Sequence, residues 1–137
     1  MKVLIADDYA SLREIMRDVL EDAGFEVIEA ENGAAALQVV ASNDVDVMLV
    51  DLNMPDCDGY QVLQRLDEPH LSVIVLSGFE QTSAENVKSE FGSKVFATLR
   101  KPVSPVLLVD TVSRAAAKTL QLSHDLVDGL ATWSHPL

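Results

Sequence analysis

The sequence predicts an α/β fold in which one parallel β-sheet is covered by helices on both faces. Five short runs rich in β-branched and apolar residues alternate with segments of helical periodicity. Strands that alternate with helices over short connections form parallel sheets through right-handed crossovers. The third run is apolar over residues 47 to 50, as expected of a strand buried on both faces. The five predicted strands lie in KVLIADD, FEVIEA, VDVMLVD, LSVIVLSG and KVFATLRKP.

The first and last predicted helices each carry an apolar face. Gly24 is expected to end the first helix, and Pro105 lies where the last begins, a position that favours proline. Asn32-Gly33 indicates a turn before a short alanine-rich helix. The apolar face consists of Leu12, Ile15, Met16, Val19 and Leu20 in the first helix, and of Leu108, Val112, Ala115 and Ala116 in the last.

Length and composition restrict the class of protein. The 137 residues suit a single domain, and 48% are hydrophobic, too many for a disordered chain. A formal net charge of −12 would repel phosphate backbones and anionic membranes, so we expect no direct binding of nucleic acid or membrane. No apolar run reaches the ~18 residues of a membrane span, and the N-terminus lacks a secretory signal. Cys57 is the only cysteine, which fits a cytoplasmic location.

Residues suited to phosphate or metal chemistry follow four of the predicted strands. In parallel α/β sheets the functional crevice lies at the carboxyl ends of the strands. Asp7 and Asp8 follow the first strand and Asp51 ends the third, so three carboxylates are expected to meet there. Like charges so close need a neutralising cation, and hard oxygen ligands favour Mg²⁺ (or Mn²⁺). Asn53, just after Asp51, is placed to offer its backbone carbonyl as a further ligand.

The fourth and fifth strands add groups that bind anions. Ser77 supplies a hydroxyl donor, and Lys101 supplies a positive charge on a long stem. The Lys101-Pro102 bond is a candidate cis peptide that aims the lysine inward. A carboxylate nucleophile, a metal, a hydroxyl and a lysine together suit phosphoryl transfer, which depends mainly on positioning and charge neutralisation.

Residues 1 to about 120 resemble the receiver domain of two-component response regulators. The matching motifs are IADD (Asp7, Asp8), LVDLNMPDCDG (from Asp51), VIVLSG (Ser77) and LRKP (Lys101). The resemblance implies a flavodoxin-like, doubly wound five-stranded sheet of order 2-1-3-4-5. It implies that Asp51 is phosphorylated by a histidine kinase or phosphotransfer protein, and that Asp7 or Asp8, Asp51 and the Asn53 carbonyl hold Mg²⁺. Ser77 and Lys101 would contact the phosphoryl oxygens and relay the change to a downstream protein or output domain.

The chain departs from the family pattern in several places, which include the short link from Leu66 to Leu71 into the fourth strand. Receivers usually carry an aromatic residue three positions before the lysine, and here that position is Thr98. Phe96, two residues earlier, would point to the same face as Thr98 if the strand were regular. The polar stretch from 79 to 92 has few apolar anchors, which predicts a mobile or irregular segment.

Other functions remain open at this point. The chain could be a pseudo-receiver, a binding module that works without phosphorylation. An aspartyl phosphatase is disfavoured, because the second aspartate such enzymes carry is replaced by Asn53. A receiver would transfer and later hydrolyse its own phosphoryl group without being a metabolic enzyme. Residues 121 to 137 are expected to form a C-terminal tail or helix extension, a linker to a missing output region, or a homodimer contact.

Overall fold

The computed structural model describes residues 1–54, 57–78, 87 and 89–134, with side chains up to residue 121. Within these residues one parallel sheet has the strand order β2-β1-β3-β4-β5, so the predicted fold class and order are confirmed. The strands are β1 (Lys2–Ala6), β2 (Glu26–Ala30), β3 (Val47–Asp51), β4 (Ser72–Ser77) and β5 (Val95–Arg100). The helices are α1 (Ala10–Asp22), α2 (Gly33–Ser42), α3 (Gly59–Arg65) and a C-terminal helix (Pro105–Ser134).

Two apolar clusters, one on each face of the sheet, form the core. Alternate residues of each strand point to opposite faces, so Val3 and Ile5 join one cluster while Leu4 and Ala6 join the other. Strands β3 and β4 are buried along their whole length because helices cover both faces. The first cluster also contains Met16 and Leu20 of α1 and Leu108, Val112, Ala115 and Ala116 of the C-terminal helix; the second contains Ala36 of α2 and Val62 and Leu63 of α3.

Helix α1 ends where the sequence predicts, but the prediction that Ile15 belongs to its buried apolar face is wrong. Gly24 has a φ of 96°, and the amides of Gly24 and Phe25 bond back to the carbonyls of Glu21 and Leu20, each at 3.0 Å. Ile15 is 59% exposed, although its spacing from Leu12 and Val19 suits the buried face. A 3.6-residue period finds the centre of an apolar stripe but not its width.

The C-terminal helix is anchored at the amino end of the sheet by buried hydroxyl groups. Ser72 Oγ donates to the carbonyl of Ala115 at 3.1 Å and lies 2.9 Å from Thr119 Oγ1. The carbonyl of Asp46, which precedes β3, lies 2.9 Å from the same Thr119 hydroxyl. The helix then continues as one element to Ser134. Among the described residues no helix combines the length and hydropathy needed to cross a membrane.

Phe96 and Thr98 were expected to share a face only if β5 were regular, and β5 is irregular. Val73 pairs with Val95 but Ile74 pairs with Ala97, so Phe96 is an extra residue in β5. The bulge lets Phe96 pack in the cluster under the C-terminal helix, where Lys118 Nζ lies 5.5 Å from its ring centroid. The predicted mobile segment falls largely outside the described residues, since 79 to 86 and 88 are not among them.

Candidate functional site

The strand order brings the acidic residues together. Strands β1 and β3 are neighbours, so Asp7, one residue beyond β1, faces Asp51, the last residue of β3. Carboxylate oxygens of Asp7, Asp8 and Asp51 all lie within 4.8 Å of one another. Asp7 and Asp51 are buried, at 0% and 4% exposure, whereas Asp8 is exposed. The three predicted carboxylates therefore form one cluster at the carboxyl edge of the sheet.

Lys101 reaches the acidic cluster from the end of β5. Its Nζ donates to Asp51 Oδ2 at 2.8 Å and lies 2.8 Å from Asp7 Oδ2 as an ion pair. The backbone holds the lysine in place: Lys101 N donates to the carbonyl of Ser77 at 2.8 Å, and the Lys101-Pro102 bond is cis, as predicted. One ammonium group therefore serves two buried carboxylates.

The loop after β3 fixes the orientation of the Asp51 side chain. Its Oδ1 accepts a hydrogen bond from Asn53 N at 3.1 Å, while its Oδ2 is bound by Lys101. Gly59, the first residue of α3, lies so close that a Cβ there would stand 2.6 Å from the carbonyl oxygen of Asp51. Asp58 caps α3 by accepting from Gln61 N at 3.0 Å. No local pattern in the sequence indicates this close packing at Gly59.

The remaining predicted site residues lie at the same edge of the sheet or close to it. Ser77 ends β4 and is buried, while Asn53 is exposed in the loop after Asp51. Thr98 is half-buried and pairs with Val75 of β4.

A residue that sequence reasoning missed is Arg13, whose Nη1 donates to the Asp7 carbonyl at 2.6 Å. Its only sequence signal is its place in the first turns of α1, five residues after Asp8.

Burial and neighbouring charges shift the pKa values of Asp51 and Lys101 in opposite directions. Desolvation raises the pKa of Asp51, and the hydrogen bonds from Lys101 and Asn53 offset this only in part. Desolvation pulls the pKa of Lys101 down, but its contacts with Asp51 and Asp7 outweigh that effect and leave the pKa raised. Lys101 is therefore charged at neutral pH, and the ionised form of Asp51 carries a free-energy cost.

The cluster has the chemistry of a divalent-cation site. Asp7 Oδ2 is buried, and the ammonium group of Lys101, 2.8 Å away, is its one positively charged partner among the described residues. A buried carboxylate oxygen in that state is stabilised by a cation. Three carboxylates offer the hard oxygen ligands that Mg²⁺ and Mn²⁺ prefer. The residues present thus fit Mg²⁺.

The raised pKa of Asp51 predicts a pH-dependent stability in metal-free buffer. The folded state holds the Asp51 proton more tightly than the unfolded state, so this contribution is complete below pH 3.8 and is lost as pH rises through the folded pKa. We expect Asp51→Asn to become more stable relative to wild type as pH rises from 3.5 to 7, by on the order of 1 kcal/mol. Urea unfolding of both proteins in EDTA across this range measures the difference.

Fold and site together define an α/β domain with an acidic crevice closed by one lysine. The sequence profile of the response regulator receiver domain matches residues 3–113, and the chain belongs to this family of two-component signalling domains. Among curated proteins it is similar to the sensor histidine kinase RcsC of Escherichia coli (strain K12), with 30% identity over 118 residues. It is likewise similar to the sensory/regulatory protein RpfC of Xanthomonas campestris pv. campestris, with 33% identity over 129 residues.

The comparisons cover most of this chain but a small part of the curated relatives. The alignments span 86% of the chain and 12% of RcsC, and 90% of the chain and 18% of RpfC. A solved response regulator receiver domain protein from Clostridium thermocellum superposes with a TM-score of 0.80 at 28% identity. That match covers 88% of this chain and 98% of the solved chain. The similarity to RcsC and RpfC therefore lies in a segment the size of one receiver domain.

Proposed function

We propose that Asp51 is the phosphoacceptor, which takes a phosphoryl group from a histidine kinase or a phosphotransfer protein in a Mg²⁺-dependent reaction. The observation that carries the proposal is the convergence on Asp51: Lys101 binds one of its oxygens, Asn53 N binds the other, and two further carboxylates lie within 4.8 Å. Family membership supports the same role.

The residues of the crevice would divide the work of transfer. An oxygen of ionised Asp51 attacks phosphorus as the bond from phosphorus to the donor nitrogen breaks, and the electron pair of that bond stays with the imidazole. Lys101, already beside Asp51, neutralises charge on the phosphoryl oxygens, and Ser77 donates a hydrogen bond to one of them. Mg²⁺, held by Asp7, Asp8, Asp51 and the Asn53 carbonyl, would supply further charge neutralisation. The acyl phosphate formed is later hydrolysed by water, which resets the domain.

The phosphorylated state would be reported through contacts with a downstream protein or output domain. Thr98 lies three residues before Lys101, where an aromatic residue is usual, and the bulge in β5 leaves Phe96 packed under the C-terminal helix. We propose that residues 121 to 137 serve as an extension of the domain toward that partner. The C-terminal helix, which runs to Ser134 without a break, supports this assignment.

Intact mass after incubation with a small acyl phosphate tests the phosphoacceptor. Wild type should gain a single phosphoryl group with Mg²⁺ and none with EDTA. Asp51→Asn should gain none, while Asp58→Asn, which keeps an equally good cap for α3, should behave as wild type. No adduct on wild type at any Mg²⁺ concentration would reject the proposal and favour a phosphorylation-independent binding module.

A further inference from the structure

Arg13 connects three elements beside the acidic cluster. Its Nη1 donates to the main-chain oxygen of Asp7 at 2.6 Å, and its Nε donates to Glu29 Oε1 at 3.2 Å. Glu29 belongs to β2, and its other oxygen accepts from Arg17 at 2.8 Å. Only 14% of the Arg13 side chain is exposed, against 48% for Arg17. The Arg13 guanidinium thus ties α1 and β2 to the turn that carries Asp7 and Asp8.

The turn between β1 and α1 has few other restraints on its direction. Tyr9 N donates to Asp7 Oδ1 at 2.9 Å, and Asp7 N donates to the Ala30 carbonyl at 3.1 Å. Helix α1 has no side-chain cap at its first turn, since Tyr9 occupies the N-cap position. The Arg13 bond to the Asp7 carbonyl orients the peptide that joins Asp7 to Asp8. That peptide sets the direction in which Asp8 leaves the turn, while the side chain of Asp7 is also held by Lys101 Nζ, 2.8 Å from its Oδ2.

We propose that Arg13 is a positioning residue that holds Asp7 and Asp8 in the orientation needed to bind a hard divalent cation with Asp51. The proposal rests on the proposed function, because it concerns the same cation site. Arg13 touches neither the cation nor the phosphoryl group. It acts through the Asp7 carbonyl, as outer residues around metal sites orient the ligands that bind the ion.

The charge of Arg13 would have the opposite effect on cation binding from its hydrogen bond. A positive charge near the crevice repels a cation, so removing the charge alone would tighten binding. Glu29, at 3.2 Å, largely offsets that charge, and the orienting effect therefore dominates. The sign of the change in affinity distinguishes the two effects.

Calorimetric titration of the full chain with MgCl₂ tests the proposal. Arg13→Met and Arg13→Lys should both bind Mg²⁺ about 10-fold more weakly than wild type, because neither side chain can hold the Asp7 carbonyl and Glu29 at once. Arg17→Met is the matched control, since it also loses a bond to Glu29 but leaves the turn untouched, and its affinity should stay within about twofold. The amide resonance of Tyr9, which bonds to Asp7 Oδ1, should shift in both Arg13 variants and not in the control.

Two outcomes would overturn the proposal, and they are distinguishable from failure of the proposed function. Tighter binding by Arg13→Met with unchanged binding by Arg13→Lys would show that only the charge matters. Unchanged affinity in both variants would show that the turn needs no such restraint. If Arg13→Met fails to fold, Arg13→Lys decides, because it keeps the charge and the aliphatic stem. Failure of wild type to bind Mg²⁺ would instead reject the proposed function.

Discussion

Lys101→Met is expected to lose about 3 kcal/mol of unfolding free energy at pH 7 in metal-free buffer. The ammonium group lies 2.8 Å from both Asp7 Oδ2 and Asp51 Oδ2, and both carboxylates are buried. Breaking a buried ion pair by removing one partner costs ~3–5 kcal/mol, because the other charge stays buried without compensation. Lys101 is itself 21% exposed, so the lower end of that range applies.

Added Mg²⁺ should recover much of the loss, since a divalent cation at the same oxygens replaces the missing charge. Urea unfolding of wild type and Lys101→Met, each in EDTA and in saturating Mg²⁺, measures both effects. Lys118→Met is the control. Among the described side chains this exposed lysine contacts only the Phe96 ring, and the loss of that contact should lower the free energy of unfolding by about 1 kcal/mol or less. No loss in EDTA would contradict the assignment of Lys101 as the counter-charge of the cluster, and an equal loss with and without Mg²⁺ would show that no cation replaces that charge.

Gly59→Ala is expected to destabilise the domain by about 2 kcal/mol and to disturb Asp51. A Cβ on Gly59 would stand 2.6 Å from the Asp51 carbonyl oxygen and 2.8 Å from the Leu52 Cα, and both are backbone atoms that cannot turn aside. Forcing extra atoms into a packed site costs typically ~1–3 kcal/mol. Alanine is otherwise the better residue in a helix, by up to ~1 kcal/mol, so a loss rather than a gain identifies the steric conflict.

Gly78→Ala provides the matched control for that substitution. Gly78 follows Ser77 at the same edge of the sheet, and a Cβ there would meet no atom of the described residues within 4 Å. Its effect on urea unfolding should therefore stay within about 0.5 kcal/mol. The rate of adduct formation on Asp51 should fall in Gly59→Ala and stay unchanged in Gly78→Ala. A stabilised Gly59→Ala protein would show that the loop after β3 can yield.

The sequence predicts which residues meet at the carboxyl edge of the sheet better than it predicts which helix residues are buried. A parallel α/β sheet places every strand end at one edge, so the spacing of Asp7, Asp51 and Lys101 along the chain was enough to bring them together. The strand order makes Asp7 and Asp51 neighbours, whereas Lys101 reaches both of them from β5, on the far side of β4. The resemblance to receiver domains supplied that order before the structure confirmed it.

The features that were missed depend on contacts between distant segments. Ile15 has the right spacing for a buried face, but how far that face extends depends on the packing of the C-terminal helix. The position of Phe96 depends on a slip in the pairing of β4 with β5, which no local pattern encodes. The close packing at Gly33 likewise depends on a distant segment, because a Cβ there would collide with the backbone of Cys57. Periodicity describes a single helix or strand, whereas these features depend on how two segments of the chain pack together.

The two edges of the sheet differ in how completely their polar groups are satisfied. At the amino edge Ser72, Thr119 and the Asp46 carbonyl form a neutral, hydrogen-bonded network. At the carboxyl edge carboxylate oxygens of three aspartates lie within 4.8 Å of one another, and one ammonium group, that of Lys101, is shared between Asp7 and Asp51. Repulsion between like charges therefore leaves the carboxyl edge of the sheet locally frustrated, whereas the polar groups at the amino edge are satisfied by hydrogen bonds. A divalent cation at these oxygens would relieve the repulsion between the carboxylates, so the domain should be more resistant to unfolding when a cation is bound than when it is absent.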